Sequence, residues 1–348
     1  MITPGTVRRR RLTGLLLLAV LLTLAVVASI AIGTRSLAPS VVFDAITHAL
    51  GCDGGPFRCP ARSTAEEIVR ELRLPRTALA LTAGVALGIA GALIQGYTRN
   101  PLADAGLLGL NAGAGFLAAL SIFLFGFTMP AQYIWFAFAG SAIAGVIVFG
   151  VSSIGGGKAS PLSLILAGAA VTAFLTAMTN AIIVLDNAAL DTYRFWVVGN
   201  VAGREADVFW QVLPFLALGV GMAVSAAPTL NLLSLGDDVA RGLGVDVTRA
   251  RGYGLFAVVL LSGGATAAIG PIAFLGLVVP HIARAFTGPD NKWLIPYSGL
   301  LGGLLLLVAD VAGRVVARPG ELQVGVMLAA VGAPFFIALV RRKKLVSL

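Results

Sequence analysis

RRRRLTGLLLLAVLLTLAVVASIAIG, residues 8–33, sets four arginines directly ahead of a charge-free apolar run. A helix crossing the roughly 30 Å hydrocarbon core of a bilayer takes about 20 such residues at 1.5 Å each. Residues 12–33 therefore predict a membrane-spanning helix. A secretory signal also runs basic then apolar, but its apolar part is about 7–15 residues long and closes on a small-residue cleavage site. This run is longer, and its end (Ser29-Ile30-Ala31-Ile32-Gly33) makes a poor site. The first helix is expected to stay uncleaved.

The same reading extends outward. Residues 77–98 predict a second span, and 105–157 are long enough for two, divided near 126–132 where Pro130 breaks the helix. Residues 159–185 predict the fifth and 208–233 the sixth. The run 252–283 exceeds one ordinary span, and Gly270-Pro271 divides it into a seventh helix and a short eighth. Residues 293–310 and 322–340 complete about ten transmembrane helices, an all-α polytopic membrane protein in one domain over 1–348. Barrel strands would be near ten residues with alternating polarity, which these runs are not.

Composition agrees. Of 348 residues, 58% are hydrophobic and 12% charged, where a soluble domain carries roughly 25% charged residues. A soluble enzyme, a nucleic-acid-binding domain and a disordered chain are excluded. The net charge of +9 could suggest an anionic partner, but the basic residues sit between apolar runs and not on a basic face with interleaved aromatics. They mark topology instead. With ten spans and the N-terminus cytoplasmic, fifteen of the 25 Lys and Arg residues fall inside, every lysine among them. The positive-inside rule favours that orientation, with both termini cytoplasmic. The segment 35–76 is then an external loop with a short amphipathic segment, and it holds Cys52 and Cys59, the only cysteines. That compartment permits a disulfide; two free thiols are the alternative.

Residues for chemistry are sparse. His48 and His281 are far apart, and no metal-ligating or nucleophilic constellation lies within a span. Ser152 to Ala159 (SSIGGGKA) superficially matches a phosphate-binding loop but lacks the first glycine and the closing Ser or Thr, and no soluble strand precedes it. The chain is expected to bind no cofactor or metal and to hydrolyse no nucleotide. Asp310 precedes Arg314 by four residues, so the two share a helix face and could pair. The spans' central halves carry no acid, which weighs against an ion-coupled transporter. Gly84/Gly88, Gly109/Gly113 and Gly299/Gly303 are small-xxx-small pairs of the kind that let helices pack closely in lipid.

Three segments are more specific. Arg73-Leu74-Pro75-Arg76 leads into the second span, which closes on Arg99-Asn100-Pro101-Leu102-Ala103-Asp104. Leu235 to Val245 reads LGDDVARGLGV, and Gly270 to Arg284 reads GPIAFLGLVVPHIAR. Together these resemble the FecCD/BtuC-like permease family, over nearly the whole chain. RNPLAD, SLGDDVA and VRRK, with the paired cysteines, most resemble its iron–siderophore branch, the ferric-enterobactin type above all.

The resemblance implies a BtuC-like fold in the bacterial cytoplasmic (inner) membrane and no catalysis by this chain. It implies a cytoplasmic ABC ATPase dimer that holds the ATP and Mg, a second permease subunit (a paralogue more than a second copy), an external siderophore-binding lipoprotein and surrounding lipid, without nucleic acid. Cargo would be a ferric siderophore moved by alternating access, with haem or cobalamin as the family alternative. The loop 234–251 matches the coupling helix that seats in the ATPase, with Asp237, Asp238, Arg241, Gly242, Leu243 and Gly244. Two acids near its start suit the helix dipole. Arg73, Arg76 and Arg314 match outward-facing arginines that meet acidic residues of the binding protein, a role for which the guanidinium fork is suited. The fifth helix would line the pathway, with Ser160 and Pro161 at the gate and Ala167, Thr172 and Thr176 along the conduit.

Overall fold

The computed structural model describes residues 4–35, 37–51, 61–152 and 161–341, and every regular element among them is helical. In chain order these are α1 (Pro4–Ala31), α2 (Pro39–Leu50), α3 (Thr64–Thr98), α4 (Leu110–Phe125), α5 (Pro130–Ser152), α6 (Pro161–Leu185) and α7 (Asn187–Val197). Then come α8 (Ala206–Ser234), α9 (Asp237–Gly242), α10 (Val247–Ile269), α11 (Leu275–Thr287), α12 (Asn291–Val316) and α13 (Val324–Arg341).

Helices α1, α3, α5, α6, α8, α10 and α12 are long and apolar enough to cross a bilayer, and α4, α11 and α13 are shorter apolar helices. These ten coincide with the ten expected segments. The 13 residues of α11 reach about 20 Å, well short of a full crossing.

The breaks have local causes. Gly126, at φ +67°, closes α4, and Pro130 opens α5 as its first residue. Proline suits that position because its missing N–H would have no helical partner anyway. It starts a helix here instead of breaking one. Gly270, at φ +81°, separates α10 from α11 ahead of Pro271, as the sequence suggests. Segment 35–76 is more ordered than a loop: α2 and the first turns of α3 occupy much of it. Cys52 and Cys59 lie outside the described residues.

Helix α3 is the axis of the fold, with 78% of its most apolar window buried. It meets α12 backbone to backbone. A Cβ on Gly88 would fall 2.2 Å from the Ser298 carbonyl, and one on Gly302 would fall 2.2 Å from that of Gly84. Close approach of this kind is how helices gain dispersion energy in lipid, where no hydrophobic force drives them together. Gly113 meets Gly140 of α5 in the same way. Gly109 does not pack as a partner of Gly113; at φ +71° it is the turn residue that starts α4.

Candidate functional site

One end of α3 carries a compact arginine–carboxylate cluster. Arg73 lies on a π-helical turn, residues Ile68–Arg73, and is 5% exposed. Its Nη1 donates to the carbonyls of Ile30 (2.9 Å) and Ala31 (2.8 Å), and its Nη2 to that of Arg35 (2.6 Å). Arg314 of α12 is 2% exposed and donates to the carbonyls of Ser29 and Ile32, both at 2.9 Å. The last four carbonyls of a helix have no partner within it. These two guanidinium groups satisfy that end of α1. Gly33 makes room for one of them, since a Cβ there would sit 2.4 Å from Arg73 Nη2.

Asp310, 1% exposed, is the anionic centre. It accepts from Arg314 Nη2 at 2.6 Å and from Arg76 Nη2 and Nε at 2.7 and 3.1 Å. The remaining Arg76 donor, Nη1, reaches Glu321 Oε2 at 2.7 Å. The pairing of Asp310 with Arg314 follows from their four-residue spacing. Arg73 and Arg314 are not free, solvent-facing arginines: both are buried and spend donors on the end of α1, and both line a cavity. Arg76 lines the same cavity.

The other end of α3 carries a second cluster. Arg99, in the left-handed region at φ +50°, caps the helix and donates to Leu233 O at 2.5 Å and Asp237 Oδ1 at 2.6 Å. Arg251, 5% exposed on α10, donates to the same oxygen at 3.0 Å, and Arg241 lies 3.8 Å from Asp237 Oδ2. Asp237 thus ties α3, α9 and α10 together. Beyond it, α9 and its flanking residues present an apolar ridge: Leu235 is 61%, Val239 50% and Leu243 59% exposed, while Ala240 is fully buried. Gly236 (φ +116°) and Gly244 (φ +85°) bound this short helix. A Cβ on Gly242 or Gly244 would meet nothing within 4 Å. Asp238 points away from the fold and, among the described residues, pairs with Arg241 on its own turn, at 2.9 Å.

Nearby, Gln95 donates to the carbonyls of Gly276 and Leu277 (3.3 Å each) and accepts from Arg284 Nη1 at 2.7 Å, locking α3 to α11. Asp104 closes the turn after α3 beside Gly276. Burial pushes its carboxyl above the usual range, and bonds from the N–H groups of Ala105 and Gly106 oppose that shift.

The expected pathway residues do not share one face. Ala167 is 7% exposed, next to Gly168, whose Cβ would fall 1.9 Å from the Leu107 carbonyl. Thr172 is half-buried beside Gly109, and Thr176 is exposed. At about 100° per residue, positions nine apart lie on opposite sides of a helix. Ala167 is therefore a packing residue, and the open face of α6 carries Ala169, Ala173, Thr176 and Asn180. Pro161 is the first residue of α6, and Ser160 lies outside the described residues.

Sequence reasoning missed Arg99, Arg251, Gln95 and Glu321 as members of these clusters. Their partners are 138, 14, 189 and 245 residues away along the chain. No local spacing announces them.

Comparison with known proteins places this architecture. The model of the FecCD transport family matches residues 21–342. The chain is 44% identical over 326 residues to the ferric enterobactin transport system permease protein FepD of Escherichia coli K12, covering 94% of each chain. It is 37% identical to the iron(3+)-hydroxamate import system permease protein FhuB of Bacillus subtilis, over 93% of this chain and 82% of that one. A solved structure described as an inward-facing conformation of a metal-chelate type ABC transporter superposes with a TM-score of 0.80. It is 27% identical and covers 95% of this chain and 99% of that chain.

Proposed function

The chain belongs to the FecCD transport family, a family of multi-pass membrane permeases, and from that premise we propose that it imports a ferric siderophore, of the catecholate type that enterobactin exemplifies. The 44% identity to an enterobactin permease along 94% of both chains carries the cargo class. The chain performs no covalent chemistry. ATP and Mg sit on a dimer of cytoplasmic ATPase subunits, and an external binding protein delivers the chelate. The second permease subunit is a paralogue. Both termini are cytoplasmic, which puts α9 on the ATPase side and the arginine cluster outside, as the distribution of Lys and Arg supports.

In this reading the ridge of Leu235, Val239 and Leu243 seats in the ATPase, with Gly242 and Gly244 giving close approach. Asp237 faces inward and transmits the push: ATPase closure shifts α9, and the hub hands the shift to α3 and α10. The open face of α6, uncharged and mixing small residues with exposed Leu166 and Phe174, forms a wall without charges to grip a bulky chelate. Weak holding lets cargo leave.

Cargo is tested by loading proteoliposomes that contain the complete transporter with ATP and offering iron-labelled ferric enterobactin, labelled haem or labelled cobalamin. Uptake of ferric enterobactin alone is the expected result, and preferential uptake of haem or cobalamin would overturn the assignment. Seating of α9 is tested by Gly242→Glu combined with Leu243→Glu. Burying two carboxylates in an apolar contact should release the ATPase subunits on size-exclusion chromatography and abolish uptake. Undiminished association would place the ATPase contact elsewhere.

A further inference from the structure

The arginine cluster borders a cavity of about 350 Å³ between the end of α1, the start of α3, the turn at Ala202–Gly203 and the segment Pro319–Glu321. Arg35, Arg73, Arg76 and Arg314 line it, and Glu321 is the one carboxylate among its described lining residues. A concave site so rich in guanidinium groups attracts an acidic side chain. The arginines are not equally available to one. Arg73 and Arg314 spend their donors on the end of α1 and on Asp310. Two of Arg76's three paired donors are held by Asp310, which is 1% exposed and shared with Arg314. The third is held by Glu321, whose side chain is 35% exposed. Of the two carboxylates on Arg76, only Glu321 lies where another carboxylate could replace it.

We propose that Glu321 is a built-in stand-in for the binding protein's carboxylate, and that docking proceeds by exchange of one carboxylate for the other on Arg76 Nη1. The idea rests on the assignment of this face to the external binding protein. It names the contact that docking has to break. Glu321 keeps Arg76 paired while no partner is bound, so the outer face does not hold stray anions. α13 begins three residues later, and its lead-in stays tied to the fold by Leu322 N–H on Gly313 O and Gly325 N–H on Gly199 O, so only the Glu321 side chain has to move.

The test uses the complete transporter in nanodiscs and the binding protein that serves it, loaded with ferric siderophore, with affinity measured across a range of salt. Glu321→Gln keeps the side chain's size and removes its charge. The variant should bind about five- to tenfold more tightly at low salt, an advantage that shrinks as salt rises. Equal or weaker binding by a variant with an unchanged thermal midpoint would overturn the exchange. A fluorescent tri-glutamate peptide supplies a second reading that needs no binding protein. It should bind Glu321→Gln measurably better than the natural chain, and equal binding would count against the proposal. Failure of the natural transporter to bind the binding protein at all, with the peptide difference intact, would instead sink the docking assignment.

Discussion

Asp310→Asn should be among the most destabilising single substitutions in this chain, by about 3–5 kcal/mol. The aspartate is 1% exposed and takes hydrogen bonds from two guanidinium groups, Arg76 and Arg314. Asparagine keeps the shape but removes the charge, and Arg314, 2% exposed, has no other carboxylate among its hydrogen-bond partners. Stranding a buried cation costs far more than a surface ion pair returns. In detergent the thermal midpoint should fall by roughly 10 °C. Since Arg314 and Arg73 also hold the end of α1, hydrogen exchange should rise first at residues 28–32. A midpoint unchanged by the substitution would mean that the cluster does not hold this end of the fold together.

The second large effect belongs to transport and not to stability. Asp237→Asn should lower ATP-driven uptake by about five- to 150-fold, the range of a coupling free energy of about 1–3 kcal/mol, while the ATPase subunits stay bound and hydrolyse ATP. The apolar ridge that would contact them is untouched by the change. What is lost is the charge that strengthens the attachment of α9 to Arg99 at the end of α3 and to Arg251 on α10. Asp237→Glu, which keeps the charge, should recover part of the rate. Loss of ATPase association in Asp237→Asn would show that the residue supports the contact surface itself. Unimpaired uptake would show that the push travels by another route.

Both predictions involve the two ends of one helix. Arg73 on α3 and the helix's cap Arg99 lie 26 positions apart, about 39 Å at 1.5 Å per residue. Between them α3 touches α12 through Gly84 and Gly88 and α11 through Gly91, whose Cβ would fall 2.0 Å from the Gly276 carbonyl. Contacts this close leave little slack. If the proposed push arrives at Asp237, α3 is built to carry it toward the arginine cluster as a rod.

Much of the fold was readable because it rests on local rules. Apolar runs set the spans, Gly270-Pro271 set the break between α10 and α11, and the four-residue spacing of Asp310 and Arg314 gave their pair. Gly84 and Gly88 announced a close helix contact, and the surface they meet is Ser298, Gly302 and Gly303. What the sequence does not reveal is which way a side chain faces. Arg73 and Arg314 are charged residues near helix ends, which normally reach for water or head groups. Here the unpaired carbonyls of α1 draw them inward, and only the tertiary packing of α1 on α12 reveals that demand. Ala167 could have been separated from Thr176 by helical phase alone, but nothing in the sequence tells which phase of α6 packs on the turn at Leu107. The contacts of Arg76 with Asp310 and of Arg99 with Asp237 join segments 234 and 138 residues apart, beyond the reach of any motif.

The most direct measurement is accumulation of iron-labelled siderophore in proteoliposomes, with the energy source varied. Uptake should occur only when the ATPase subunits, the binding protein and ATP are all present, and it should persist when proton and sodium gradients are collapsed. Accumulation by this permease without ATPase subunits, driven by an ion gradient alone, would contradict the account at its root.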